Sequence, residues 1–134
     1  MNTPPQSAAP SKALLWTGRG LSALPVLMLL LSASLKIAGP PQVVGQFTGR
    51  FGYPASLVLP LGIIEISCAL LYAIPRTAVF GAIVMTGYLG GVIATHVRIL
   101  DSGFITGLIL GILAWAGLYL REPRLHAVLP LRRR

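Results

Sequence analysis

A chain of 134 residues that is 54% hydrophobic and 10% charged, with a mean hydropathy of +0.77, carries far less charge than the roughly 25% usual in soluble domains. A soluble domain of this size has too little interior to hide so much apolar surface, so the composition excludes one and points to the bilayer. The net charge of +8 does not indicate nucleic acid, because the basic residues lie between and beyond apolar runs and form no stripe interleaved with aromatics.

Residues 1–20 open with a stretch rich in Pro, Ser and Ala and are expected to form a disordered tail. Four apolar runs follow, at about 21–38, 57–74, 77–97 and 104–120, each close to the length needed to cross a hydrocarbon core of about 30 Å at about 1.5 Å per residue. Backbone pairing within lipid makes helices the default for such runs, and the alternating polarity of a β-barrel is missing. The first and last runs are short, so wider boundaries or local thinning must make up the difference. Gly39, Pro40 and Pro41 end the first helix, and Pro75 separates the second and third so tightly that they form a hairpin. Between the first and second runs, loop 39–56 holds Val43, Val44, Phe47 and Phe51 at helical spacing, which suggests a short helix on the membrane surface or over the bundle. Pro60 is expected to kink the second helix. Residues 121–134 read as a basic tail. The expected fold is therefore all-α, a membrane-spanning antiparallel four-helix bundle.

With four spans, Lys12, Arg19, Arg76, Arg121, Arg124 and Arg132 to Arg134 share one side, and Lys36, Arg50 and Arg98 share the other. That is eight against three, which by the positive-inside rule puts both termini in the cytoplasm and loop 39–56 outside. Ser32, Ala33 and Ser34 resemble a cleavage site, but the long polar region before the first run and Lys36 just after it fit a signal peptide poorly. Cys68 is the single cysteine, which leaves no disulfide and no redox pair within this sequence; His96 and His126 fall on opposite sides, so no metal site is expected.

Glu65 is the first acidic residue in the chain and sits halfway along the second run. An acid at such depth is expensive, so it is neutralised, partnered or used. Counting inward from the same face, Glu65 and Tyr88 both lie about 12–13 Å deep, with Ser32 slightly shallower. A hydroxyl and a phenol could both reach the carboxyl group. Lys36, Thr95, His96, Arg98 and Asp101 form a second layer at the outer rim, with Lys36 one turn above Ser32. A path from Lys36 and Ser32 to Glu65, with water bridging the gap, would suit a proton or the head group of a quinone or other small amphiphile. The plainer alternatives are that Lys36 and Arg98 snorkel to the interface and that Glu65 only fixes helix packing. Gly87 and Gly91 in the third helix, and Gly103, Gly107 and Gly111 in the fourth, are expected to let helices pack closely or copies associate.

Gly62-Ile-Ile-Glu65, Pro75-Arg-Thr77, Tyr88-Leu-Gly-Gly91, Thr95-His-Val-Arg98 and Leu129-Pro130, in this order and spacing, resemble the DoxX-like family over about 21–131. The resemblance implies a four-helix protein of a bacterial inner membrane. Relatives that name the family are associated with thiosulfate:quinone oxidoreductase, which implies a membrane subunit near a quinone, with Glu65 and the stretch from Tyr88 to Arg98 as the matching positions. The expected function is a ligand- or quinone-proximal accessory of a membrane redox system, with no catalytic residue or intrinsic cofactor of its own, whose Glu65 and outer rim bind a proton or a small amphipathic ligand such as a quinone. Its expected partners are the lipid bilayer, a redox-complex subunit or a second copy. A small-molecule transporter with Glu65 as a protonatable gate, or a purely structural subunit, is the alternative. A reporter active only in the periplasm, fused after Arg134, should stay silent; activity would reverse the orientation.

Overall fold

The computed structural model describes residues 9–128. Met1 to Ala8, Leu129-Pro130 and the three terminal arginines, on which parts of the expected tails, resemblance and charge balance rest, lie outside the described residues. Among the described residues there is no strand, and four helices are long and apolar enough to span a membrane.

Helix α1 runs from Lys12 to Ala38, so residues 12–20 are helical and not part of a disordered tail. Ser11 caps it, accepting the Leu14 amide at 3.3 Å, and Lys-Ala-Leu-Leu then supplies strong helix formers. The resulting 27 residues reach about 40 Å, so this span is not short. Gly39, in the left-handed conformation with φ 64°, turns the chain. A cap follows, made of α2 (Pro41–Gly45) and a π-helical turn from Gln46 to Arg50. Helix α3 spans Val58–Ala73 after a 3-10 turn at Ala55–Leu57, and α4 spans Ala78–Arg98. Helix α5 covers Phe104–Arg121 and a short α6 covers Leu125–Val128, so the basic tail begins with structured residues. Pro60 sits in the first turn of α3, where its missing N–H would have no intrahelical partner, and the expected kink has no cause there. The interior proline is Pro25 of α1.

The long helices form a square, α1 and α4 each packing against both α3 and α5. Large apolar side chains such as Leu27, Leu31, Ile83 and Ile112 face outward, as a bilayer requires. Close approaches between helices fall at glycines, and they differ between the two ends. At the end holding Lys12, the α3–α4 hairpin and Arg121, here the terminal end, α1 meets α5: a Cβ on Gly18 would stand 2.9 Å from the Gly117 carbonyl oxygen. There α3 also meets α4, since a Cβ on Gly81 would collide with the backbone of Leu71 and Tyr72. At the opposite, cap end the pairing changes. Helix α1 closes on α3 at Gly62, where a Cβ would be 2.9 Å from Lys36 Cβ, and α5 closes on α4 at Gly107, 3.0 Å from an Ile93 side-chain carbon. The closest approaches thus pair α1 with α5 and α3 with α4 in the terminal half, and α1 with α3 and α4 with α5 in the cap half, which divides there into two helix pairs.

Tyr72 locks the terminal half. Its side chain is fully buried, and its hydroxyl lies 2.6 Å from the Ala114 carbonyl oxygen and 2.8 Å from Ser22 Oγ. A carbonyl can only accept, so the phenol donates to Ala114 and accepts from Ser22, tying α1, α3 and α5 together. The Arg121 guanidinium covers the Tyr72 ring at 5.1 Å.

Gly87 and Gly91, expected at helix contacts, make none: a Cβ on either meets nothing within 4 Å. Gly111 has room as well, with Leu89 at 3.8 Å. Spacing alone fails here because four-residue glycine intervals occur on lipid-facing and core-facing stripes alike. Gly81→Ala should therefore destabilise the bundle by about 1–3 kcal/mol through overpacking. Gly87→Ala should be neutral or add about 0.5–1 kcal/mol from helix propensity. Reversible unfolding in mixed micelles checks both; equal effects would contradict the division.

Candidate functional site

The divided cap half encloses a cleft of about 440 Å³, inside the range of about 300–1,000 Å³ typical of small-molecule pockets. Its walls are mostly apolar, including Leu29, Leu61, Leu89, Val92 and Leu110, and every long helix contributes to them.

The polar floor is set by helix direction. Side chains lean toward the N-terminus of their helix, and α1 and α3 are antiparallel, so Lys36 leans into the bundle while Glu65 leans toward the cap. Gly62, one turn from Glu65, lets the two helices come close enough for the side chains to meet. Lys36 Nζ donates to Glu65 Oε2 at 2.6 Å and to Ser32 Oγ at 2.6 Å. Both charged side chains are at least nine-tenths buried. The expected water bridge between Lys36 and Glu65 is replaced by a direct ion pair, because a lysine stem leaning inward covers about one turn of depth. Snorkelling is excluded for Lys36 by the same geometry. A buried acid and a buried base tolerate each other here because each supplies the other's counter-charge and charge-assisted hydrogen bond.

Tyr88, Thr95 and His96 line the same cleft from α4. Thr95 donates to the Gly91 carbonyl oxygen at 2.9 Å, which leaves its oxygen to accept from Tyr53 at 2.8 Å. His96 Nδ1 lies 2.8 Å from the Val92 carbonyl oxygen, which places a hydrogen on that nitrogen, and its Nε2 lies 3.7 Å from Asp101 Oδ2. Gly103 leaves space for the imidazole, since a Cβ there would collide with it. Arg98 does not line the cleft. It sits two residues beyond His96, about 200° round the helix, and bonds the Phe51 carbonyl oxygen at the cap.

The cap is aromatic. Phe47 and Phe51 meet edge to face at 5.4 Å, Tyr53 lies 6.2 Å from Phe47, and Phe51 packs against the His96 ring at 5.1 Å. Lys36 Nζ lies 5.6 Å from the centre of the Phe47 ring, so a π face covers the ion pair. An exposed Arg50–Asp101 pair at 3.0 Å ties the cap to the α4–α5 connection, a contact that contributes little by itself.

Of the seven expected ligand positions, Ser32, Lys36, Glu65, Tyr88, Thr95 and His96 converge on one cleft and Arg98 stands outside it. Tyr53 and Phe47 line the cleft as well, and Gly62 lets α1 and α3 close at its floor. Gly62 was open to inference from its place one turn before an intramembrane acid, whereas the pairing of Tyr53 with Thr95 depends on how the cap folds back.

The sequence profile of the DoxX-like family matches residues 20–117, most of the chain and most of each of the four long helices. The chain belongs to the DoxX-like family. It is a multi-pass membrane protein of that family. Neither a curated protein nor a solved structure matches it.

Lys36→Met should cost this DoxX-like protein about 3–5 kcal/mol, because Glu65 would be left buried without a counter-charge. Adding Glu65→Leu should recover much of that loss. Unfolding of the single and double variants in mixed micelles reads the coupling; purely additive losses would mean that the two groups act independently.

Proposed function

We propose that this protein is a binding subunit of a bacterial inner membrane, with its cap on the extracytoplasmic side, that holds the head group of a quinone-like amphiphile beside a membrane redox system. The observation carrying this reading is the cleft itself: apolar walls at membrane depth, an aromatic roof and one buried ion pair at the floor. A quinone presents a flat apolar ring and two carbonyl acceptors. Lys36 and the Tyr88 hydroxyl are donors suited to those carbonyls, and Phe47 offers a face for the ring. Such a molecule, when bound, would supply two-electron redox chemistry; the residues of this chain bind it, orient it and keep water from it.

The terminal half supports binding over transport. Tyr72, Ser22 and the glycine crossings fill the space between the floor and the far end, where a transporter would need a second, alternating opening. An accessory role also agrees with the single cysteine, which has no thiol partner within this sequence.

The test is equilibrium binding of a short-chain quinone to the purified protein in lipid nanodiscs. One molecule per chain should bind, and Lys36→Met with Glu65→Leu should weaken binding by about tenfold or more, equivalent to about 1.4 kcal/mol. A folded wild-type protein that binds none would overturn the proposal.

A further inference from the structure

The cleft has two kinds of boundary, and they differ in what closes them. Toward the cap, Phe47, Phe51 and Tyr53 form a roof fixed to α4 by the Tyr53–Thr95 hydrogen bond and by Arg98 on the Phe51 carbonyl. Sideways, the glycine contacts that close the seams between helix pairs lie at the terminal end, Gly81 on one side and Gly18 with Gly117 on the other.

The two seams are not equivalent. On α4 the buried stripe is Ala78, Gly81, Ala82, Met85 and Leu89. At about 100° per residue, Gly87 falls about 160° round from Leu89, on the outward face, with Gly91 between that face and the α3 side. Both glycines are exposed, both line the cleft, and neither has any atom within 4 Å of where a Cβ would stand. The cleft therefore continues between α3 and α4, past Tyr88, to the lipid-facing surface. On the other side, α1 contributes to the lining the long side chain of Met28, about 100° round the helix from the buried Leu29.

We propose that the cleft is loaded sideways from the bilayer, and that its ligand is a long-chain amphiphile whose chain leaves between α3 and α4 across Gly87 and Gly91. This rests on the cleft being the head-group site argued above. An aromatic roof on the aqueous side and a gap bordered by two glycines on the lipid side select a molecule already dissolved in the membrane. The glycines act as the specificity element: they leave the α4 edge of the opening without side chains, and larger residues there would stand in the chain's path. The buried ion pair holds the polar end, and lipid solvates the far end of the chain.

Three proteins in nanodiscs, each given a quinone with one isoprenoid unit and one with a long isoprenoid chain, decide the matter. Because nothing lies near either Cβ position, the Gly87→Leu and Gly91→Leu double variant should fold. It should bind the long-chain quinone about tenfold or more weakly and the short one within about threefold of wild type. Gly90→Leu, also on the outer face with nothing within 4 Å but outside the cleft, should leave both affinities unchanged. Unchanged long-chain binding in the double variant would overturn the seam as the chain's path, as would an equal loss of both ligands. If the wild-type protein binds neither quinone, the head-group reading itself falls and the seam with it.

Discussion

The contact between Lys36 and Glu65 is the constraint around which the cap half is organised. Two opposite charges at membrane depth are each costly alone, and together they demand that α1 and α3 stay close, antiparallel and in register. Gly62 makes that approach possible, and the opposed lean of side chains on antiparallel helices brings the charged ends together. Because the pair draws α1 onto α3, while Gly107 and Gly103 hold α5 and its connection onto α4, the cap half divides into two pairs. The cleft is the space between them.

The terminal half does the opposite work. Without a hydrophobic driving force between helices in lipid, association depends on close packing and interhelical hydrogen bonds. Gly18, Gly81 and Gly117 supply the first, and the Tyr72 hydroxyl between Ser22 and Ala114 supplies the second. A rigid half can then hold an open half in place. Val58, Glu65 and Tyr72 stand at seven-residue intervals on one buried face of α3, so a single helix carries the site's floor and the lock beneath it.

Depth and type of residue were legible in the sequence. Four apolar runs located the spans, and counting from their ends brought Ser32, Glu65 and Tyr88 to one level with Lys36 a turn above Ser32. Rotation and tertiary approach were less so. The seven-residue step from Glu65 to Tyr72 could have marked Tyr72 as buried, yet nothing local says that its partners would be Ser22 and a carbonyl fifty and forty-two residues away. Gly87 and Gly91 show the same limit, since only the position of α3 reveals that they border a gap. The start of α1 at Lys12 was hidden by the polar residues before Leu21, although Ser11 followed by Lys-Ala-Leu-Leu is a usable start signal.

The most direct test of this account is photo-crosslinking with a short-chain quinone that carries a photoreactive ring, followed by mapping of the modified residues in nanodiscs. Adducts are expected on Phe47, Tyr88 or their immediate neighbours in the cleft, suppressed by excess unlabelled quinone. Adducts spread over outward-facing residues such as Leu27, Leu31 and Ile112, and indifferent to competitor, would contradict it.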